Sequence, residues 1–464
     1  MQIAVTAAGI LFGVAIAASS PAPPRRGVSS QPLDEQQQEL RATISDKSGR
    51  LPRLGIAAFL IAGNDSQLQA PAKAIADVLW KDLEFEHEYQ VMDPSAGAEI
   101  SPAPSNELAY ESWIATGADD VLVSTLQKTG ATLQLDVRVM NLQRRASIFA
   151  RRYACPTSSL RLCAHTISDE LHKERFGLDG VARTKLAFTS DRDADGVGGT
   201  YEERSSIKEI YVADYDGAQA SRVTTHGSLN LGPAWSPDSR AFAYQSYQTG
   251  FADIFVQKLY DAKAPPLRPA QGTERAQNYL PAWSPDGRRI AFVSSRDGDW
   301  EIYVMKVDGS DCRRLTSNPA DDGAPTWSPA GTQIAFTSDR GGSNQIYIMS
   351  ADGGPAEQVT NEPMGVDRPT WSRDNVIAYT VKTVDGSEIQ RIDLGTRQVV
   401  PLTNGPGTSE SPSFAPNGRH LAFVTTRWGK QHLAIMDVDG QNVRQITFTG
   451  NNRFPTWSPG PGEK

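Results

Sequence analysis

An α+β N-terminal domain followed by an all-β six-bladed β-propeller, closed by pairing of its N- and C-terminal strands, is the fold this sequence predicts. Three observations predict it. First, a phrase built on an aromatic recurs: Pro233-Ala234-Trp235-Ser236-Pro237-Asp238, Pro281-Ala282-Trp283-Ser284-Pro285-Asp286, Pro325-Thr326-Trp327-Ser328-Pro329, Pro369-Thr370-Trp371-Ser372, Pro412-Ser413-Phe414-Ala415-Pro416-Asn417 and Pro455-Thr456-Trp457-Ser458-Pro459. Second, its period of roughly 43–48 residues is the length of a four-stranded blade. Third, the two ends of the array are out of phase. Lys185-Leu186-Ala187-Phe188-Thr189-Ser190 has no such phrase before it, and Trp457 has no apolar run after it. The last strand therefore completes the first blade, which makes six and removes exposed sheet edges.

Each repeat supplies its remaining strands at fixed offsets. One apolar run follows the turn, as in Phe242-Ala243-Tyr244 or Ile290-Ala291-Phe292-Val293, and another comes about ten residues later, as in Ile302-Tyr303-Val304-Met305. A turn such as Asp308-Gly309 or Asp352-Gly353 then leads to a short strand ending in Thr: Leu315-Thr316, Val359-Thr360, Leu402-Thr403 and Ile446-Thr447. β-Branched and aromatic runs separated by such turns are antiparallel hairpins, so four strands per repeat are expected. Trp fills the wedges between blades and Asp-Gly makes the turns, which assigns the repeated residues to structure.

The composition is ordinary for a soluble chain of 464 residues, with 39% hydrophobic and 22% charged residues, and this length predicts two domains. A net charge of −8 argues against nucleic acid as a partner, because a phosphate-binding face needs a basic excess. Residues 1–19 read as a signal peptide: Ile3 to Ala18 is apolar, uncharged and too short to span a membrane, with small residues at Ala15, Ala17 and Ser19 for cleavage. No Lys or Arg precedes that run, as a start placed too far downstream would explain, and no cysteine follows it to carry a lipid. Residues 20–39, with Pro21, Pro23, Pro24 and several Ser and Gln, read as a flexible linker.

Residues 40–180 carry a mixed α/β pattern, and 181–464 carry the propeller. Leu54 to Leu60 reads as a buried strand and Ala72 to Leu83 as a helix, with Ile75, Val78 and Leu79 on one face. Asn106 to Trp113 reads as a second short helix capped by Ser105. Strands are expected at Asp120 to Ser124, at the alternating Leu133, Leu135, Val137 and Val139, and at Ile148 to Tyr153, before a helix from Ser159 to Phe176. Cys155 and Cys163 are near enough in sequence to pair in an oxidising compartment, although sequence cannot test the geometry a disulfide needs. Cys312 reads as a lone thiol.

Several motifs together are more specific than the repeats. They are Ala164-His165-Thr166-Ile167-Ser168-Asp169-Glu170-Leu171, Lys185-Leu186-Ala187-Phe188, Glu209-Ile210-Tyr211-Val212-Ala213-Asp214-Tyr215-Asp216-Gly217, and the terminal Phe454-Pro455-Thr456-Trp457-Ser458-Pro459. On these, from about Arg41 to the C-terminus, the chain resembles the TolB family, the periplasmic components of the Tol–Pal envelope system. The resemblance implies a periplasmic, non-enzymatic scaffold. It would bind the peptidoglycan-associated lipoprotein Pal at the propeller mouth and TolA through the N-terminal segment, supporting outer-membrane integrity and constriction at division. It further implies a monomer with Pal, TolA and other Tol–Pal components as partners, and no membrane span once the signal is cleaved. One departure bears on TolA: in the family the mature chain starts almost at the first strand, whereas here a Pro-rich stretch intervenes.

Binding residues are sought where the repeats differ at one loop position, just before each Pro-x-Trp phrase. This selects Asn230, Gln277, Asn278, Tyr279, Asp322, Asp367, Arg368, Glu410 and Arg453, polar and aromatic groups expected around one mouth of the central opening. Asp191, Asp193, Asp195 and Glu202, with Gly196, fit a twelve-position calcium loop, although strands rather than helices flank it. Calcium is thus a candidate ion, and no cofactor is required. The six histidines show no metal-ligand spacing, His165 reads as a packed or capping residue rather than a base, and no Gly-x-Ser-x-Gly elbow occurs. The alternative is a secreted propeller that binds calcium or glycans, or a lyase-like enzyme. It would require His, Arg and carboxylates converging in the channel.

Overall fold

The computed structural model describes residues 50–97, 100, 108–194, 207–261, 265–273 and 276–460. The signal peptide, the linker, Ser105, Asn106, Asp195 and Glu202 lie outside the described residues. Among those residues, no helix is long and apolar enough to cross a membrane.

The N-terminal unit is a mixed sheet with its two long helices on one face. Strands β1 (Arg53–Ile56), β2 (Leu60–Ile61), β3 (Gln90–Val91), β4 (Asp120–Thr129), β5 (Thr132–Asn141) and β6 (Ala146–Pro156) join helices α1 (Gln69–Phe85), α2 (Tyr110–Ala115) and α3 (Leu160–Phe176). The sheet runs β3-β1-β4-β5-β6, and β2 pairs the far end of β4. The single strand expected from Leu54 to Leu60 is thus two short ones. β1 is parallel to both β3 and β4, while β4, β5 and β6 form an antiparallel meander. The alternating Leu133, Leu135, Val137 and Val139 of β5 send their side chains into one core with Ile75, Leu79, Ile167 and Leu171 of the helices. On the opposite face, Trp113 of α2 lies so close to β1 that a Cβ on Gly55 would stand 2.5 Å from its ring. Cys155 of β6 and Cys163 of α3 form a disulfide with a Cα–Cα distance of 5.7 Å.

The six blades form as sheets around one axis. Closure is the pairing of Asn452–Trp457 with Lys185–Ser190, in register from Asn452↔Ser190 to Trp457↔Leu186. The Ser-Pro-Asp turn works through its serine. Ser236 Oγ accepts the Ala241 N–H at 2.9 Å and donates to Asp238 Oδ1 at 2.5 Å, and Ser284 does the same with Arg289 and Asp286. Trp235 and Trp327 each donate Nε1–H, at 3.0 Å, to a backbone carbonyl of the preceding blade, Thr456 and Ala282 respectively.

The Thr that ends the fourth strand is a clamp. In five blades its hydroxyl accepts a buried third-strand N–H at 2.8–2.9 Å: Ile210 to Thr224, Ile302 to Thr316, Ile346 to Thr360, Ile389 to Thr403 and Leu433 to Thr447. Blade two departs from the expected four strands. Its fourth position is a single bridge, Val256↔Leu267, because Pro265, Pro266 and Pro269 have no N–H to extend a ladder. There Asp253 takes over the clamp, bonded by Arg268 and by the Gly272 N–H at 2.8 Å.

The α/β unit sits on the face that carries the Ser-Pro turns. Phe85 of α1 packs between Tyr215 of blade one, at 4.9 Å, and His420 of blade six, at 4.4 Å. Around it, Arg161 bonds Asp214 at 2.9 Å and Asp216 at 3.0 Å, and Arg419 bonds Glu86 and Glu88. Asp179, on the segment between the units, pairs with Arg373 of blade five at 3.1 Å.

Candidate functional site

The free face of the propeller carries the loops that precede each first strand and the hairpins between second and third strands. The residues expected there divide into two groups. Asn230, Asn278 and Asp322 are 0%, 0% and 1% exposed, which corrects their assignment as contact residues. All stand five residues before the aromatic and hold loops from inside. Asn230 Nδ2 donates to Glu209 at 2.9 Å, and Asn278 Nδ2 donates to Asp253 at 2.8 Å. Asp322 accepts Arg340 at 3.0 Å, and Asn452 does the same job by accepting Arg192 at 3.0 Å. Burial without these bonds would strand polar groups, so in four of the six blades the position is filled by a polar loop holder, whereas blades five and six carry Val366 and Ser409 there.

Gln277, Tyr279, Asp367, Arg368, Glu410 and Arg453 remain partly open on this face. Tyr279 packs edge-on against Trp300 at 4.9 Å and donates to Gln277. Glu410, Gln431 and Arg453 form a chain across blades six and one, with Gln431 Nε2 3.3 Å from Glu410 Oε1 and its Oε1 accepting Arg453. Four large apolar groups stand on the same face over blades five and six: Met364, Val384, Trp428 and Phe448, exposed by 41% at least. Sequence reasoning missed them. Their signal was a lone apolar residue in an otherwise polar loop.

Below this rim the inner strands narrow to a waist. Each strand shifts register between the fourth residue before the aromatic and the residue just before it. Within that bulge Gly232, Leu280, Ala324, Arg368, Ser411 and Phe454 all adopt left-handed backbone, with φ of 44–56°. Small and large side chains alternate around the ring, so Leu280, Arg368 and Phe454 come from alternate blades, with Arg368 over the Phe454 ring. Beyond the waist, toward the Ser-Pro turns, lies an axial chamber of about 390 Å³ walled by the six inner strands. Its charged lining residues are Arg368 and Arg373.

Asp191 and Asp193, the described half of the calcium pattern, each have protein partners. Asp191 accepts the Asn451 N–H at 2.7 Å and its Nδ2 at 2.9 Å, while Asp193 accepts Tyr211 and faces Arg222 at 3.4 Å. At the domain junction, Glu86, Glu88 and His172 bring three ligand-type atoms within 4.8 Å of one another. The Arg419 guanidinium bonds both carboxylates, which supplies the positive charge a metal ion would bring. His165 is buried against Asp82 at 2.7 Å. Burial alone would lower its pKa, but hydrogen bonds to Asp214 and Asp82 outweigh burial and lift it to about 9.

These features define a six-bladed propeller of the Trp-Ser-Pro repeat type, carrying an α/β unit on one face and an open loop rim on the other. Residues 175–460 match the family model described as the TolB beta propeller domain. The chain is 41% identical over 389 residues to the Tol-Pal system protein TolB of Methylobacillus flagellatus, covering 83% of this chain and 86% of that one. With the protein of the same name from Alkalilimnicola ehrlichii it is 32% identical over 235 residues, which spans about half of each chain, 50% and 51%. The crystal structure of TolB from Acinetobacter baumannii superposes with a TM-score of 0.73 at 25% identity, covering 89% of this chain and 97% of that one. The chain belongs to the TolB family.

Proposed function

We propose that this protein is a periplasmic component of the Tol–Pal envelope system, acting as a non-enzymatic scaffold that binds Pal on its loop face. Its N-terminal segment contacts TolA, and the complex supports outer-membrane integrity and constriction at division. The observation that carries this reading is TolB-family membership over an alignment longer than the propeller itself. The chemistry of the loop face supports it. Trp428, Phe448, Met364 and Val384 stand exposed on the face that also carries Glu410 and Arg453, and exposed aromatics rimmed by charge suit a protein partner. The rival enzyme or glycan-binding reading asks for histidines and carboxylates with arginine in the channel. The charged residues lining the chamber are two arginines.

Sedimentation of the purified chain with the soluble domains of Pal and TolA from the same cell tests the assignment. A stable complex with Pal, and a separate one with TolA that requires the N-terminal segment, is the expected result. Independent sedimentation of all components would overturn it.

A further inference from the structure

Arginines stacked on aromatic rings recur in this propeller, and several are also held by side-chain hydrogen bonds. Arg296 lies over Tyr303 at 4.8 Å and also donates to Ser294 at 3.0 Å and Asn278 at 3.2 Å. Arg340 lies over Tyr347 at 4.7 Å and donates to Ser338 and Asp322. Arg368 differs. Its guanidinium stands 4.3 Å from the centre of the Phe454 ring, two blades away, yet no hydrogen bond joins it to another described side chain. The neighbouring carboxylate, Asp367, is 3.9 Å from Nε and is turned to the Arg368 backbone N–H, which it accepts at 2.7 Å.

The surroundings give this cation a chemical preference. It stands at the floor of the axial chamber, whose walls are proline, small residues and tryptophan edges, with no carboxylate lining it among the described residues. The second cation there, Arg373, is already paired with Asp179. A guanidinium presents donors in a planar fork that matches a carboxylate. A single cation whose nearest carboxylate, Asp367, stands 3.9 Å away suits a singly charged group better than a phosphate dianion. A chamber of about 390 Å³ is in the range that holds a small ligand or one inserted side chain.

We propose that the axial chamber is a carboxylate-binding site in which Arg368 is the receptor and the Phe454 ring its platform. The carboxylate belongs either to a free short organic acid or to an acidic side chain of a docked protein segment, and the second source rests on the Pal-binding reading above. The test is a titration of the full chain with butyrate, a singly charged carboxylate, at constant ionic strength, followed by tryptophan fluorescence, since five tryptophans line the chamber. Saturable binding with a dissociation constant on the order of 1–10 mM is expected. Arg368→Gln should weaken it about tenfold or more, Arg373→Gln should leave it, and Asp367→Asn should tighten it by about threefold. No saturable change in the wild type would overturn the proposal, as would equal binding by a folded Arg368→Gln. If Arg368→Gln does not fold, an Asp367→Asn variant that binds no tighter would overturn it. Adding the soluble Pal domain then separates the sources: displacement of butyrate identifies a protein side chain, and simultaneous binding identifies a free acid. Butyrate binding without any Pal complex would sink the docking reading alone.

Discussion

Tyr215 of the first blade donates its hydroxyl to Asp82 of the α/β unit at 2.9 Å, and the other oxygen of that carboxylate lies 2.7 Å from His165. One buried carboxylate thus ties the two units together, and its histidine makes the tie pH-dependent. Burial disfavours the charged imidazole, but Asp214 and Asp82 raise the His165 pKa to about 9, and Asp437 and Glu86 likewise raise that of His420. A folded-state pKa above the unfolded value of about 6.5 gives stability that is complete below that value and is lost as pH rises toward 9. The melting temperature should therefore fall over that window, by the equivalent of roughly 2–3 kcal/mol from His165. His165→Gln should lower stability at pH 6 and flatten the profile. An unchanged slope in the variant would contradict the junction as described.

The threonine clamps make a separate prediction. Thr316→Val keeps the shape but strands the buried Ile302 N–H, which Thr316 accepts at 2.9 Å. It also removes a donor to Glu301. A loss of about 1–3 kcal/mol in urea unfolding is expected. A loss of a few tenths would mean that water satisfies these groups.

The disulfide predicts an effect confined to the α/β unit. Cys155 and Cys163 are 8 residues apart and join the last strand to the closing helix. A loop this short is worth about 2–3 kcal/mol by the chain-entropy relation. The double variant Cys155→Ala with Cys163→Ala should lower the calorimetric transition of that unit and leave the propeller transition in place. A shift of both together would show that the two units unfold as one.

Neighbouring residues on the loop face should separate by role. Asn278→Ala, at a fully buried position, should cost about 1–3 kcal/mol of stability by removing its buried hydrogen bond to Asp253. Tyr279→Ala, on the partly open rim, should weaken partner binding instead. Equal destabilisation by the two would assign both to structure.

The fold was legible because its period and its closure are written in single residues. Trp457 without a following run and Lys185 without a preceding phrase specify the pairing that the register Trp457↔Leu186 completes. The disulfide was one of two readings, because Cα geometry is a property of the folded chain. Blade two was misread as four-stranded because Pro265, Pro266 and Pro269 were not weighed against a ladder that needs N–H groups. The candidate site was read less well. Asn230, Asn278 and Asp322 vary in identity, which looked like specificity, yet all are holders of buried loops. Leu280 and Phe454 were passed over because their alternation with Gly232, Ala324 and Ser411 acquires meaning only when six strands surround one axis.

The most direct measurement is a calorimetric titration of the chain lacking residues 1–19 with the soluble Pal domain, repeated with Tyr279→Ala and Glu410→Ala. One-to-one binding with a dissociation constant on the order of 1 μM or tighter, weakened about tenfold or more in variants that melt like the wild type, is the predicted result. Absence of any heat or complex would contradict Pal as the partner. Full-strength binding by both variants would move the contact off this face.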